Sequence, residues 1–128
     1  MNVTKRFKVS PNILNQAIEE AQRSDHKQRV SAVIFKGKRV IAIAHNAVRS
    51  NKIPYKFKNF LGSSHAECQA IIKARRSLKG YDILVIRLNN TGDLMMAKPC
   101  EFCQNFIDYV SIRRVYYSNE KNQIVCVK

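Results

Sequence analysis

Glycine, proline and long apolar runs are all scarce in this sequence. Of its 128 residues only 4 are Gly and 3 are Pro, while 45% are hydrophobic and 25% are charged. This composition is typical of globular rather than disordered or fibrous proteins. The apolar runs, at residues 40–44 and 83–86 among others, are far shorter than the roughly 20 residues that cross a bilayer. Basic residues 1–10 are not followed by the apolar segment of a signal peptide. We therefore expect one domain over residues 1–128, soluble, cytoplasmic and without membrane partners.

Acidic residues are also scarce. The chain has 9 Asp and Glu against 23 Lys and Arg, a formal net charge of +14. A basic excess of this size favours association with polyanions, and nucleic acid is the first candidate. The alternative is a lysine-rich composition that only keeps a small protein soluble, and charge alone does not decide between the two.

The chain has four cysteines, Cys68, Cys100, Cys103 and Cys126. They could form two disulfides in a secreted scaffold, but a chain of this length without a signal peptide does not need such links. Metal binding or simple burial is therefore the better interpretation. We interpret Cys68 and Cys126 as small buried hydrophobic residues.

The spacing of apolar residues predicts the element order α-β-β-α-β-α-β-β. The predicted helices span residues 11–24, 65–78 and 99–110, and the predicted strands span residues 30–35, 40–44, 83–88, 115–118 and 124–127. Ser10 and Pro11 mark the start of the first helix, and Ser64 and Gly80 the start and stop of the second. Alternation of strand and helix implies a parallel crossover in the middle of the sheet, with a hairpin at each end of the chain.

Two basic segments could contact phosphates. In the predicted loop over residues 48–64, cations interleave with aromatic side chains, a combination that suits phosphate contacts and base stacking. Its candidate nucleic-acid contacts are Arg49, Lys52, Tyr55, Lys56, Phe57 and Lys58. A second basic cluster, on and after the next helix, consists of Lys73, Arg75, Arg76 and Lys79. The alternative for both segments is an ordinary solvated surface.

Two short motifs carry the chemistry. His65-Ala66-Glu67 and Pro99-Cys100-Glu101-Phe102-Cys103 open the two predicted helices that flank the central strand. Two thiols one helical turn apart and one imidazole supply three zinc ligands, which leaves a fourth position for water, as catalytic zinc sites require. A redox-active cysteine pair is one alternative, and a closed structural site with Cys68 as fourth ligand is another.

Together, His65-x-Glu67 and Pro99-Cys100-x-x-Cys103 resemble the motifs of zinc-dependent nucleobase deaminases. Over residues 30–118 the chain is similar to the cytidine and deoxycytidylate deaminase superfamily. The resemblance implies an α/β fold of three layers, α-β-α, around a mixed five-stranded sheet with a C-terminal antiparallel hairpin. It also implies one zinc ion held by His65, Cys100 and Cys103.

The same resemblance implies a hydrolase that converts cytosine to uracil and releases ammonia. Glu67 would carry protons between the zinc-activated water and the base. Asn46 would hydrogen-bond the substrate, and the backbone N–H groups of Ala66 and Cys100 would orient the base. Two departures concern the substrate. Lys98 stands where relatives that act on polynucleotides often have Ser or Glu, and the nucleoside enzymes usually have Cys in place of His65.

The turn at residues 119–122 allows only an antiparallel hairpin, which resembles the free-nucleoside cytidine deaminases and certain bacterial toxin deaminases. Relatives of the tRNA adenosine, polynucleotide-editing and deoxycytidylate groups instead have a helix between the last two strands, which makes those strands parallel. Our leading hypothesis is nonetheless a deaminase of cytosine in single-stranded DNA or RNA, because +14 exceeds what one mononucleotide phosphate needs. Three alternatives stay open. The first is a deaminase of free cytidine or deoxycytidine, as nucleoside or nucleotide, for example deoxycytidylate. The second is a tRNA adenosine deaminase. The third is a non-catalytic zinc module that binds nucleic acid.

Overall fold

The computed structural model describes residues 9–24, 28–46 and 65–127. Its elements are α1 (Pro11–Ala21), β1 (Arg29–Lys36), β2 (Arg39–His45), α2 (Ala66–Ala74), β3 (Asp82–Leu88), β4 (Leu94–Met95), α3 (Glu101–Tyr109), β5 (Arg114–Ser118) and β6 (Ile124–Cys126). All three predicted helices and all five predicted strands are present. Within the described ranges, no helix has the length and apolar character that crossing a membrane requires.

The sheet is mixed, with the strand order β2-β1-β3-β5-β6. β1 lies antiparallel to both β2 and β3, whereas β3 and β5 pair in parallel across the α3 crossover. β5 and β6 are antiparallel, which confirms the predicted C-terminal hairpin. The expected five-stranded sheet gains a sixth, two-residue strand, because β4 pairs with the end of β3 after a turn closed by the Asn89 side chain. Two residues are too few to show a hydrophobic period.

Helices cover both faces of the sheet, which confirms the predicted three layers. Successive strand residues point to opposite faces, so each central strand feeds two cores. On one face α1 packs on Val33 of β1 and on Leu84 and Ile86 of β3. On the other face α2 and α3 pack on Ile34 of β1 and on Val85 of β3.

The ends of α2 differ from the prediction. The helix stops at Ala74, well before Gly80, because Arg75 adopts the left-handed conformation, φ 50° and ψ 38°. Such a residue ends the helical hydrogen-bond ladder. The residue in the N-cap position is His65 and not Ser64, which lies outside the described residues. Similarly, α1 ends at Ala21, three residues before its predicted end.

Candidate active site

The two motifs meet because of the sheet topology. β2 and β3 run in the same direction, since both are antiparallel to β1. The helices that follow them therefore begin at the same edge of the sheet, the place where α/β folds form binding sites. His65 occupies the N-cap of α2, and Cys100 occupies the N-cap of α3, where its sulfur accepts a hydrogen bond from the Cys103 backbone N–H at 3.5 Å.

The ligand atoms of His65, Cys100 and Cys103 all lie within 4.8 Å of one another. His65 Nδ1 is 3.0 Å from Cys103 Sγ and 3.9 Å from Cys100 Sγ. Zinc–nitrogen and zinc–sulfur bonds of usual length place nitrogen and sulfur about 3.6 Å apart in a tetrahedron. The observed distances lie on either side of this value, and one imidazole with two thiols is a donor set that zinc prefers, so these residues fit a zinc ion.

Cys68 lies outside this group of three ligands among the described residues. Its side chain is fully buried in the core beneath α2. The part of the chain that the structure describes therefore offers three protein ligands, the number that catalytic zinc sites have, and Cys68 does not complete a closed structural site of four.

The Glu67 carboxyl group is buried next to these ligands, with 6% of the residue exposed. Burial raises the pKa of Glu67, although hydrogen bonds from its own backbone and from Cys103 oppose the shift. The hydrogen bond with Cys68 and the burial of the thiol likewise raise the pKa of Cys103. A dication held by the thiols would reverse this balance and favour the ionised forms.

A pocket of about 180 Å³ opens beside the ligand group. The described residues that line it are Gln28, Val30, Asn46, His65, Ala66, Glu67, Ala97, Lys98 and Cys100. Three residues that the resemblance assigned to catalysis and substrate binding, Asn46, Ala66 and Glu67, thus share one pocket with two of the metal ligands.

Hydrogen bonds from several elements orient the buried Asn46 amide. Its Oδ1 accepts from Ser24 Oγ at 2.6 Å and from the Val30 backbone N–H at 3.0 Å. Its Nδ2 donates to the Gln28 carbonyl oxygen at 2.6 Å. Among the described residues only Gln28 accepts from Nδ2, and this leaves the second N–H of the amide for a ligand.

Sequence reasoning missed several residues at or next to the pocket. Gln28 and Val30 line it, and Ser24 supports Asn46 from behind, but nothing local in the sequence connects these positions. Arg87 is Val30's partner on β3 and so points to the same face of the sheet, where its buried Nε has no hydrogen-bond partner among the described residues. Lys98 also lines the pocket. The sequence had marked it only as a residue that stands where relatives acting on polynucleotides often have Ser or Glu.

The candidate nucleic-acid contacts of the 48–64 segment lie outside the described residues. They are Arg49, Lys52, Tyr55, Lys56, Phe57 and Lys58. Their part in substrate binding stays a prediction.

Comparison with known proteins agrees with this geometry. Residues 8–119 match the family described as the cytidine and deoxycytidylate deaminase zinc-binding region. No curated protein sequence matches the chain.

Three solved structures are similar to the chain. A dCMP deaminase from the cyanophage S-TIM5 is 21% identical over 87% of this chain and 86% of its own, with a TM-score of 0.58. The second structure comes from work on A-to-I editing by tRNA:A34 deaminases at the wobble position of transfer RNA. It is 26% identical over 84% of this chain and 75% of its own, with a TM-score of 0.56. A cytidine deaminase from Burkholderia pseudomallei is 12% identical over 94% and 93%, with a TM-score of 0.64.

Proposed function

Since this chain belongs to the family of zinc-dependent cytidine and deoxycytidylate deaminases, we propose that it hydrolyses cytosine in single-stranded nucleic acid to uracil and ammonia. The observation that carries the proposal is the position of Glu67. Its buried carboxyl group lines the same pocket as the metal ligands His65 and Cys100. A proton carrier is therefore placed where a base would meet an activated water.

In this proposal each polar residue has a distinct role. His65, Cys100 and Cys103 hold the zinc ion, which when bound lowers the pKa of a water so that a nucleophile forms at neutral pH. Glu67 accepts a proton from that water and passes it to the ring nitrogen of the base. The water oxygen would bond to C4 of the ring, and Glu67 would pass the second proton of the water to the amine as the C4–amine bond breaks, so that cytosine and water become uracil and ammonia.

The walls of the pocket would orient the base. The free N–H of the Asn46 amide and the backbone N–H of Ala66 supply donors for the substrate, and Val30 and Ala97 supply apolar surface. At about 180 Å³ the pocket is smaller than the roughly 300–1,000 Å³ of sites that enclose drug-sized ligands. It therefore suits one nucleobase, with the sugar and phosphate outside.

Lys98 supports a substrate that carries phosphate. It is exposed, and among the described residues that line the pocket it is the one Lys or Arg. No carboxylate of the described residues forms an ion pair with it. An ammonium group at this position favours a phosphate next to the bound base.

A strand rather than a mononucleotide is favoured by charge. One phosphate requires one or two cations, and the chain has an excess of 14 positive over negative charges. Single strands also present their bases without the cost of extruding them from a duplex. The predicted contacts of the 48–64 segment would add to strand binding.

A free nucleoside or nucleotide is the second candidate, and the antiparallel β5–β6 hairpin favours the nucleoside. This arrangement resembles that of the free-nucleoside cytidine deaminases. One similar structure, the cyanophage dCMP deaminase, was solved in complex with dCMP and dUMP.

The deciding experiment offers the zinc-loaded protein cytidine, dCMP, cytosine-containing single strands and duplexes, and transfer RNA in parallel. Uracil, inosine and ammonia are measured, with Glu67→Gln as the control for contaminating activity. We expect kcat/KM to be highest for single strands. Deamination of dCMP but not of strands would select the free-nucleotide candidate, inosine in transfer RNA would select the adenosine reaction, and no product from any substrate would leave the non-catalytic zinc module.

A further inference from the structure

A second basic surface lies at the end of the sheet opposite the pocket. The β1–β2 turn and the segment between α2 and β3 come together there, because Phe35 pairs with Asp82 across β1 and β3. We define this distal patch by its six exposed cations and one aromatic residue: Lys36, Lys38, Arg39, Arg75, Arg76, Lys79 and Tyr81.

Tyr81 lies among these cations. Lys36 Nζ is 5.4 Å from the centre of its ring, and Arg76 Nη1 donates to its hydroxyl oxygen at 3.4 Å. The hydrogen bond from Arg76 and the charges of Arg76, Lys36 and Arg39 lower the pKa of Tyr81. Because Arg76 already donates a hydrogen bond to the Tyr81 oxygen, the Tyr81 hydroxyl can donate its own proton in a hydrogen bond to an anion.

The positive charge of the distal patch is not neutralised by its own segments. Residues 36–39 and 75–82 contain a single carboxylate, Asp82, which is buried. Asp82 is already paired with Arg113, whose Nε and Nη2 donate to its two oxygens at 3.1 and 2.9 Å. The two neighbouring segments thus expose six cations, of which Lys36, Arg39 and Arg76 lie near the Tyr81 phenol, and such a cluster is typical of a polyanion-binding surface.

We propose that the distal patch binds the backbone of the single-stranded nucleic acid whose cytosine enters the pocket. The proposal rests on the proposed function for the identity of its ligand. Val30 lines the pocket and Lys36 belongs to the patch, and six residue steps along β1 separate them by roughly 20 Å. A mononucleotide in the pocket therefore does not reach the patch, whereas a strand does.

The test measures binding of a fluorescent oligothymidine of about twenty nucleotides by anisotropy over a range of salt concentrations. This strand has no cytosine, so binding is separate from deamination. The patch variant is Lys38→Gln with Arg76→Gln. The matched control is Arg23→Gln with Lys121→Gln, which removes the same charge from exposed positions outside the patch.

We expect the patch variant to bind about tenfold more weakly. The slope of the logarithm of the binding constant against the logarithm of the salt concentration should become less steep by about 1.4, because each phosphate that the protein no longer neutralises reduces its magnitude by about 0.7. The control should stay within about twofold of wild type. The patch variant should also lower kcat/KM on strands and leave it unchanged on dCMP. Equal binding by the two variants would overturn the inference, as would displacement of the strand by polyglutamate as readily as by unlabelled oligothymidine.

The two proposals can fail separately. If strands are deaminated and both variants bind oligothymidine alike, the distal patch is refuted and the proposed function stands. If no cytosine compound is deaminated but the patch variant alone loses binding, the patch stands and the proposed function is refuted.

Discussion

The two faces of the sheet are covered by helices in different ways. On the α1 face the buried contacts are mainly apolar, with Ile13, Ala17 and Ala21 fully buried against the strands, and Ser31 Oγ adds a buried hydrogen bond to the Ala17 carbonyl oxygen. On the α2/α3 face the helices also pack on the strands, and their N-cap residues, His65 and Cys100, lie together at one edge of the sheet. The first face contributes packing, and the second contributes packing together with the candidate site.

This difference follows from alternation along the same strands. In β3, Leu84 faces α1, while Ile83 and Val85 face α2 and α3. The same strand thus packs against α1 on one face and, on the other face, supports the helices that carry the metal ligands. Changes to the apolar residues that face α1 should alter stability alone, whereas changes to the residues at the N-terminal ends of α2 and α3 should alter metal binding and activity.

The largest effect is expected for Cys103→Ala on the α2/α3 face. Wild-type protein should contain about one zinc per chain, and the variant should lose both the metal and much of its stability, because metal binding in such sites is coupled to folding. Metal analysis and thermal unfolding measure the two losses. Cys126→Ala on β6 is the control and should keep zinc. A Cys68→Ala variant that loses zinc would contradict the three-ligand site.

Leu84→Ala should have the next largest effect, and it acts on the α1 face. The side chain is fully buried, so its truncation should lower the free energy of unfolding by about 2–5 kcal/mol. Denaturant unfolding measures this change. The zinc content and the kcat/KM of the folded fraction should be unchanged. A loss of zinc at a temperature where the variant is folded would show that the two faces are not independent.

Lys98→Gln should lower kcat/KM on substrates with phosphate by about tenfold, since a hydrogen bond to a charged group contributes about 1.5–3 kcal/mol. Cytidine, which has no phosphate, should be affected less than twofold. Lys98→Arg should restore most of the activity. An equal loss on cytidine and dCMP would argue against a phosphate contact.

The smallest effect is expected for Ser24→Ala, which removes the hydrogen bond that connects the end of α1 to Asn46. Stability should fall by about 1 kcal/mol. KM should rise with little change in kcat, because Asn46 orients the substrate and takes no part in proton transfer. Ser24→Thr keeps the hydroxyl and should restore KM. A fall in kcat at constant KM would refute this positioning role.

Local patterns were sufficient to predict most of the fold and the metal ligands. The apolar run of β3 indicates a buried central strand, and the spacing of Cys100 and Cys103 within one helical turn places two ligands together. His65 and Glu67 stand in a fixed order at a helix start. Each of these signals lies within a few residues, which is the range over which spacing specifies geometry.

The remaining features depend on contacts between distant segments. The bond from Ser24 to Asn46 spans 22 residues, and no periodicity connects them. Likewise, Lys36 reaches Tyr81 only through the register of β1 on β3. The early end of α2 depends on the conformation of Arg75, an ordinary helix-forming residue whose left-handed φ is imposed by the tertiary structure.

The central claim is that Glu67 carries the proton in a zinc-dependent deamination, and Glu67→Gln tests it most directly. The amide is close in size and shape to the carboxyl group but cannot transfer the proton. We expect the variant to keep about one zinc per chain and wild-type thermal stability, while kcat on the preferred cytosine substrate falls about 10²- to 10⁴-fold. A folded, zinc-containing variant that retains more than about a tenth of the wild-type kcat would contradict the claim.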